Sequence, residues 1–184
     1  MGLLIAISGA TASGKSTFAA GLCDLLRPQS PVLLNQDRYF RDFQEVPEDL
    51  REVAVTSNHP RAVLWDDLVT HLEMLKSGGS VTVPVQGTRA RLRGDEPKEL
   101  GSSGIVIVEG HLLFNEARIL GLADLLVFVD ADSHERAVRR LLRDTESGKT
   151  TLEKATKWYR KDVIPNVGVY SEARRGLADV IVPF

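Results

Sequence analysis

The sequence predicts an α/β protein in which helices cover both faces of a five-stranded parallel β-sheet. Five short apolar segments are spread along the chain, and they do not alternate with polar residues as half-exposed strands do; they span residues 3–8, 32–34, 105–108, 125–129 and 179–182. Continuous apolar runs are typical of strands buried on both faces of a parallel sheet, and segments with helical periodicity separate them. We therefore expect three layers, with a small β-hairpin and a helical lid added to them.

The composition fits one globular domain spanning residues 1–184. Its 23 Lys and Arg residues against 25 Asp and Glu residues give a formal net charge of −2. No positive field therefore favours nucleic acid or a membrane surface as a partner. The single Cys23 cannot form an internal disulfide, which favours the cytoplasm. The first apolar run is far shorter than the roughly 20 residues of a membrane span. An oligomer is possible, but no sequence feature supports one.

The stretch after the first apolar run has the pattern of a phosphate loop. Gly9 and Gly14 enclose four residues and are followed by Lys15 and Ser16. Between a strand and a helix N-terminus, backbone N–H groups and the helix dipole converge on a phosphate. Lys15 would reach the β- and γ-phosphates, and the Ser16 hydroxyl would bind Mg²⁺. A turn that only joins strand to helix needs one glycine and neither Lys nor Ser, so the pattern favours a nucleoside triphosphate site in a P-loop NTPase fold. The predicted nucleotide contacts are Gly9, Ala10, Thr11, Ala12, Ser13, Gly14, Lys15, Ser16 and Thr17.

The helices follow from the spacing of apolar residues and from the residues that end them. The first helix stops before Pro28, which cannot continue it, and the second stops at Gly78 and Gly79. Helices are predicted over residues 15–26, 64–76, 133–147 and 151–164.

Two segments lack helical periodicity. Residues 81–85 and 88–92 alternate on either side of Gln86 and Gly87, which predicts the small hairpin. Residues 41–63 contain prolines and charges with little periodicity, which predicts a mobile connection over a site.

Two acids follow buried strands and are candidates for the second Mg²⁺ anchor beside Ser16. Asp130 precedes a helix start, where its carboxylate can act structurally near the helix dipole. Glu109 precedes Gly110 and has no such duty, so we assign Glu109 to the metal side.

A phosphoryl transfer also requires an acid that accepts the proton of the attacking hydroxyl. Asp37 lies just beyond the second strand, at the edge of the sheet where ligands bind in open α/β folds. From the local sequence alone, Asp37 could equally be this base or a residue that only stabilises a turn. For Tyr39 and Phe40 two interpretations remain open: they are core residues, or their rings contact a substrate.

The helix after Asp130 carries arginines at i, i+3, i+4 and i+7: Arg136, Arg139, Arg140 and Arg143. Asp132 and Glu135 can pair with the first two, whereas Arg140 and Arg143 have no acid four residues before them. A solvated helix face is the ordinary alternative. With Lys149 near the helix end, we favour a lid over residues 140–152 that closes on ATP.

Several of these motifs, taken in order, resemble the uridine kinase and phosphoribulokinase family. They are the phosphate loop, residues 37–40, 58–62, 108–110, 128–130, 139–144 and 178–183, so the resemblance covers nearly the whole chain. It implies transfer of the ATP γ-phosphoryl group to a small-molecule hydroxyl. It further implies that Asp37 is the base, that Ser16 and Glu109 hold Mg²⁺, and that Arg140, Arg143 and Lys149 are lid cations. The phosphate-loop pattern itself makes Lys15 the second catalytic candidate.

The sequence departs from that family on the acceptor side. Uridine kinases have the motif Pro-x-Tyr-Asp-Phe at the position of residues 84–88, which contain no aromatic residue here. They also have an acid near the ribose at the position of Leu64, and the nearest acid in this sequence that could replace it is Asp66. We expect poor activity on uridine and cytidine, and Arg89, Arg91 and Lys157 would suit an anionic acceptor better than a neutral base. The alternative is that these arginines form a solvated hairpin edge and that Tyr39 or Phe40 supplies the missing stacking. The candidate substrate residues are Asp37, Tyr39, His59, Asp66, Gln86 and Arg91.

Other nucleotide-binding functions fit less well. A regulatory GTPase requires an Asn-Lys-x-Asp guanine reader and an Asp-x-x-Gly switch, and the sequence contains neither. A non-catalytic nucleotide sensor remains an alternative, as does a kinase for a non-nucleoside acceptor such as a vitamin or a sugar phosphate. The four histidines are too scattered for a metal cluster.

Overall fold

Five parallel strands form the central sheet. The computed structural model describes residues 2–101, 104–146, 148 and 150–184. The strands within these residues are β1 (Leu3–Ser8), β2 (Val32–Asn35), β3 (Ser80–Val83), β4 (Lys98–Gly101), β5 (Ile105–Glu109), β6 (Leu125–Asp130) and β7 (Val180–Pro183). The sheet order is β2-β5-β1-β6-β7, and β3 pairs with β4 in a separate antiparallel ribbon. The predicted parallel sheet is confirmed.

The helices connect the strands and cover the sheet. They are α1 (Lys15–Leu25), α2 (Glu48–Ala54), α3 (Trp65–Lys76), α4 (Arg89–Leu92), α5 (Ala117–Leu122), α6 (Ser133–Glu146), α7 (Leu152–Trp158) and α8 (Ile164–Tyr170). A π-helical turn over Tyr159–Val163 joins α7 to α8. No helix in the described part of the chain is both long enough and apolar enough to cross a membrane.

Apolar side chains on the two faces of the sheet form two core clusters. Leu4 and Ala6 of β1 belong to a cluster that includes residues of α3 and α5. Ile5 and Ile7, the alternate residues of the same strand, pack instead with Ala19 of α1. The central strands therefore need apolar side chains on both faces, which explains the absence of alternation in their sequences, whereas the edge strands β2 and β7 leave Leu33, Val180 and Ile181 exposed.

The predicted hairpin is wrong in its second strand. β3 pairs with residues 98–101 rather than with 88–92. Residues 89–92 form α4, because the Thr88 side chain accepts a hydrogen bond from the Arg91 N–H (3.2 Å) and so caps a helical turn. This capped turn is anchored by the Arg89 N–H, which donates to the carbonyl of Phe40 (2.9 Å).

Two connections are more regular than their sequence predicts. Residues 41–63 contain α2 and a 3₁₀ turn over Pro60–Ala62, and Phe43 within this stretch is buried. The helix predicted to end at residue 164 continues through the π-helical turn into α8. Pro165 lies in the first turn of α8, where a missing N–H costs little.

Candidate active site

The phosphate loop connects β1 to α1 with the backbone that its glycines allow. Gly9 and Gly14 have φ angles of 149° and 92°, in the region that disfavours side chains. A Cβ atom on Gly9 would lie 2.5 Å from the carbonyl oxygen of Val129, so only glycine fits there. Lys15 and Ser16 begin α1 directly after the loop. The loop and helix thus have the strand-to-helix geometry that binds a phosphate.

A buried carboxylate lies beside this helix start. Glu109 ends β5 and is 3% exposed. Its Oε1 accepts hydrogen bonds from the Ser16 hydroxyl (3.0 Å) and from the Asn35 amide (2.5 Å). Asn35 is the register partner of Glu109 on β2, so the sheet itself sets this arrangement. Burial raises the pKa of Glu109, and the charge of Lys15 opposes that shift.

Asp130, the alternative metal anchor, is engaged elsewhere. Its Oδ2 accepts a hydrogen bond from Arg175 (2.9 Å), and it lines neither cavity described below. The helix start after it is capped by Asp132, whose Oδ1 accepts from the N–H groups of His134 and Glu135 (2.9 and 3.1 Å). Glu109 is therefore the strand-end acid next to the Ser16 hydroxyl.

Asp37 lies on a 3₁₀ turn over Gln36–Tyr39, just beyond β2. The side chain that stabilises this turn is Asn35, whose Oδ1 accepts from the Asp37 N–H (2.6 Å). The Asp37 carboxylate is exposed and makes no hydrogen bond or ion pair with the described residues. The turn therefore does not need the Asp37 carboxylate, which leaves it available for chemistry.

A cavity of about 270 Å³ brings the loop and Asp37 together. One wall belongs to the phosphate loop, α1 and α6. The other, called the acceptor wall below, is formed by Asp37, Phe40, Ser57, Asn58, Arg89 and Arg93. The lining residues of the whole cavity are Thr11, Lys15, Ser16, Asp37, Phe40, Ser57, Asn58, Arg89, Arg93, His111, Arg140 and Arg143. A second cavity of about 460 Å³ adjoins the outer side of the loop, where Thr17 and Phe184 line it.

The arginines of α6 differ in role. Arg140 donates to Thr11 of the loop (2.7 Å), but Asp144, four residues after Arg140, accepts its Nε (2.6 Å). Arg143 lies 3.4 Å from the same carboxylate. No acid lies four residues before either arginine, as the sequence indicates, but Asp144 on the C-terminal side pairs with both, so neither is free of an acidic partner. Arg136 is buried and pairs with Glu172, so it is not part of an exposed stripe.

The predicted lid cation Lys149 lies outside the described residues. Lys157, expected at the acceptor, lines a separate hollow with Arg51 and Trp158 and does not line the cavity.

Two aromatic candidates for the acceptor are placed away from the cavity. Tyr39 is fully buried, and its hydroxyl is 2.7 Å from Nδ1 of His71, so it is a core residue and its assignment to the substrate is corrected. His59 accepts from the Arg61 N–H (3.1 Å) and lies 3.0 Å from the Tyr170 hydroxyl. His59 therefore joins its own segment to α8 and does not line the cavity.

Three further acceptor candidates, Asp66, Gln86 and Arg91, also lie outside the cavity. Asp66 is exposed and pairs with Arg118 (2.7 Å) on the surface of α3. Gln86 is exposed on the connection before α4. Arg91 lies on α4, but Arg89 and Arg93, four residues apart, are the arginines of this turn that line the cavity. Residues four apart share a face of a helix, so the helical spacing of α4 places Arg89 and Arg93, rather than Arg91, along the cavity. The hairpin prediction excluded this spacing.

Sequence reasoning missed a buried acid that holds the acceptor wall. Asp162, in the π-helical turn, is 5% exposed. Its carboxylate accepts from the Thr56 hydroxyl, the Ser57 N–H (3.0 Å) and the Asn58 amide (2.7 Å). More than 100 residues separate Asp162 from these donors, so no local sequence signal could have identified it.

His111 was also missed, although it follows Glu109 by two residues at a strand end. It is buried beneath the cavity, and its Nε2 lies 2.8 Å from the Ser57 carbonyl. Burial, reinforced by the charge of Lys15, lowers the pKa of His111 to about 4. The ring is therefore neutral near pH 7 and, since a carbonyl only accepts, Nε2 carries the proton.

Comparison with known proteins identifies relatives of the whole chain. A sequence model of the Phosphoribulokinase / Uridine kinase family matches residues 4–184. Uridine kinase from Mycoplasma pneumoniae is 35% identical over 184 residues, which cover 100% of this chain and 85% of the relative. A candidate fructose transport system kinase from Silicibacter sp. TM1040 has the same fold, with a TM-score of 0.79, 23% identity, and coverage of 98% and 89% of the two chains. So does phosphoribulokinase from Rhodobacter spheroides, with a TM-score of 0.73, 16% identity, and coverage of 99% and 70%.

Proposed function

The chain belongs to the Phosphoribulokinase / Uridine kinase family and is an ATP-dependent phosphotransferase that acts on the alcohol group of a small molecule, and on that premise we propose that Asp37 is its general base. One observation carries the proposal: the unpaired carboxylate of Asp37 lines the same cavity as Lys15 and Ser16 of the phosphate loop.

In the proposed reaction the acceptor hydroxyl loses its proton to Asp37 while its oxygen bonds to the γ-phosphorus. The bond from that phosphorus to the β,γ-bridging oxygen breaks, and ADP leaves with the electron pair. Lys15 and the loop N–H groups hold the phosphates in line with the acceptor, which is how protein groups accelerate phosphoryl transfer.

We propose that Ser16 and Glu109 form the protein side of a Mg²⁺ site. A hydroxyl and a buried carboxylate 3.0 Å apart offer the oxygen ligands that Mg²⁺ prefers, and phosphate oxygens and water commonly complete its octahedron. When bound, the ion would neutralise charge on the transferring phosphate. Among the described residues no cluster of three or more His, Cys, Asp or Glu side chains could hold a metal, so the ion would depend on the nucleotide.

We propose that residues 140–152 act as a lid within one kinase domain. The contact from Arg140 to Thr11 supports this, because it ties α6 to the loop that would hold the triphosphate. Arg143 lines both cavities beside the loop and could follow the phosphate charge as the lid closes.

The use of ATP and the single Cys23 agree with a cytoplasmic site of action.

The variant Asp37→Asn tests the base. The amide has the same size but cannot accept the proton, so transfer should fall by about 10²–10⁴-fold while ATP affinity stays within about twofold. Asp49→Asn is the matched control, since Asp49 is an exposed acid of α2 that does not line the cavity. Lys15→Ala should instead impair both binding and transfer. An Asp37→Asn enzyme that keeps its maximal rate and loses ATP affinity would exclude the base assignment.

A further inference from the structure

Two arginines line the acceptor wall of the cavity, on the side of Asp37 rather than of the phosphate loop. Arg89 begins α4, and Arg93 directly follows that helix. The spacing of four residues places both on the same face of the helical turn. Their position differs from that of Lys15, Arg140 and Arg143, which belong to the loop and the lid.

The Arg89 guanidinium is held in place only by neutral groups. It donates to the Ser57 hydroxyl (2.6 Å) and to the carbonyls of Thr56 (2.6 Å) and Arg41 (3.0 Å). Among the described residues, no carboxylate lies within ion-pair distance of it. The rings of Phe40 and Phe43 flank it at 5.7 and 5.5 Å. Arg89 is therefore a rigid, partly buried cation with no bound counter-charge.

A cation in this environment is costly unless an anion compensates it. Burial lowers the pKa of Arg89, and the charges of Asp162, Asp37 and Asp42 only partly oppose that shift. A guanidinium has five N–H donors, and the three bonds to neutral acceptors leave donors for a ligand. The fixed orientation is what recognition of a planar carboxylate or a phosphate requires.

Arg93 adds a second, less constrained cation. Its Nη2 lies 3.6 Å from Oδ2 of Asp95, an oxygen that already accepts from Arg38 at 2.5 Å. Arg93 is also well exposed, so its pairing with Asp95 is weak. It could therefore turn toward a ligand beside Arg89 at little cost.

The charges that line the cavity are unbalanced. Five of its described lining residues are cations and one, Asp37, is a carboxylate. Asp144 pairs with Arg140 and Arg143, and Asp95 lies 3.6 Å from Arg93, whereas no carboxylate of the described residues forms an ion pair with Arg89. Three of those cations are assigned above to the triphosphate, which leaves Arg89 and Arg93. Gln86 is exposed, and the connection before α4 adds no aromatic side chain to the cavity. Phe40 does line the cavity, but its ring already lies against the Arg89 guanidinium (5.7 Å).

We infer that the acceptor carries an anionic group, a phosphate or a carboxylate, which binds between Arg89 and Arg93 while its hydroxyl faces Asp37. This inference rests on the proposed kinase function and names the substrate class of the same site. A uridine or cytidine acceptor lacks the anionic group that these two cations would bind. The competing explanation is that Arg89 only ties α4 to residues 56–57.

Matched acceptor pairs test the charge requirement. We would measure kcat/KM for ribulose 5-phosphate against ribulose, for pantothenate against its neutral alcohol analogue panthenol, and for uridine and cytidine. The charged member of at least one pair should exceed its neutral counterpart by about 10²-fold or more. The pair that responds distinguishes phosphate from carboxylate. Uridine or cytidine leading the panel would overturn the inference but leave the kinase function intact.

A binding measurement makes the test independent of the acceptors chosen. With ADP saturating the phosphate loop, inorganic phosphate and malonate would be titrated into the protein by calorimetry. Arg93→Gln should weaken binding of the favoured anion about tenfold or more, and Arg93→Lys should recover part of it. Arg91→Gln is the control, because Arg91 shares the turn but does not line the cavity.

Failure of this inference and failure of the proposed function give different results. Absence of anion binding at millimolar concentration, or equal binding by the wild type and Arg93→Gln, would overturn the anion site. Loss of phosphoryl transfer in Asp37→Asn would still support the kinase assignment in that case. Transfer unaffected by Asp37→Asn would count against the base whatever the anion titration shows.

Discussion

Removal of the Asp162 carboxylate should strongly destabilise the protein. In Asp162→Ala, three buried or half-buried donors on residues 56–58 lose a charged acceptor at once. Each hydrogen bond to a charged group contributes about 1.5–3 kcal/mol, and a buried donor left unsatisfied costs about 1–3 kcal/mol. Because water could enter the space and such losses are not additive, we expect the free energy of unfolding to fall by about 3–5 kcal/mol.

Urea denaturation followed by circular dichroism measures this loss. With an m-value of about 2.5 kcal/mol per molar, a loss of about 4 kcal/mol moves the unfolding midpoint down by about 1.6 M. Asp162→Asn keeps one acceptor oxygen, so its unfolding midpoint should lie between those of the wild type and Asp162→Ala. Asp49→Asn, which alters an exposed acid in the first turn of α2, should lower the midpoint by no more than about 0.4 M, because a charge at that position contributes about 0.3–1 kcal/mol.

The same variant should also affect the acceptor. Ser57 and Asn58 line the cavity, so a loosened wall should raise KM for the acceptor and leave KM for ATP nearly unchanged. A loss below about 1 kcal/mol with unaltered acceptor KM would show that Asp162 does not hold this wall, and the reasoning from its hydrogen bonds would be refuted.

Three further perturbations address stability and metal use. Arg136→Met removes a buried partner of Glu172 and should lower the free energy of unfolding by about 1–3 kcal/mol, seen as a drop in Tm of several degrees; an unchanged Tm would contradict the role. Burial lowers the pKa of His71 below its ordinary value of 6.5, so the unfolded chain binds that proton more readily and stability should fall as pH drops from 7 through 6.5 to 5.5. The decline should be smaller in His71→Gln, and equal slopes would exclude this cause. Glu109→Gln should raise the Mg²⁺ concentration needed for half-maximal rate at least tenfold, whereas an unchanged Mg²⁺ dependence would place the metal elsewhere.

Local patterns in the sequence were sufficient for the sheet and for the phosphate side of the site. Continuous apolar runs predicted the five parallel strands, because a strand with Leu4 on one face and Ile5 on the other must be apolar throughout. The glycines of the phosphate loop fix its backbone locally. Glu109 follows a buried strand, and neighbouring parallel strands end at one edge, so its position beside Ser16 follows from topology.

The acceptor side was decided by tertiary contacts. Whether residues 88–92 form a strand or a helix depends on the Thr88 cap and on the anchor to Phe40, and this choice selects Arg93 rather than Arg91 to line the cavity. Asp162 meets residues 56–58 across more than 100 positions, and Tyr39 is drawn into the core by His71. Periodicity and spacing describe neighbours along the chain. The acceptor wall is built from side chains that only the packing of α4 on the turn over Gln36–Tyr39, and of the π-helical turn on residues 56–58, brings together.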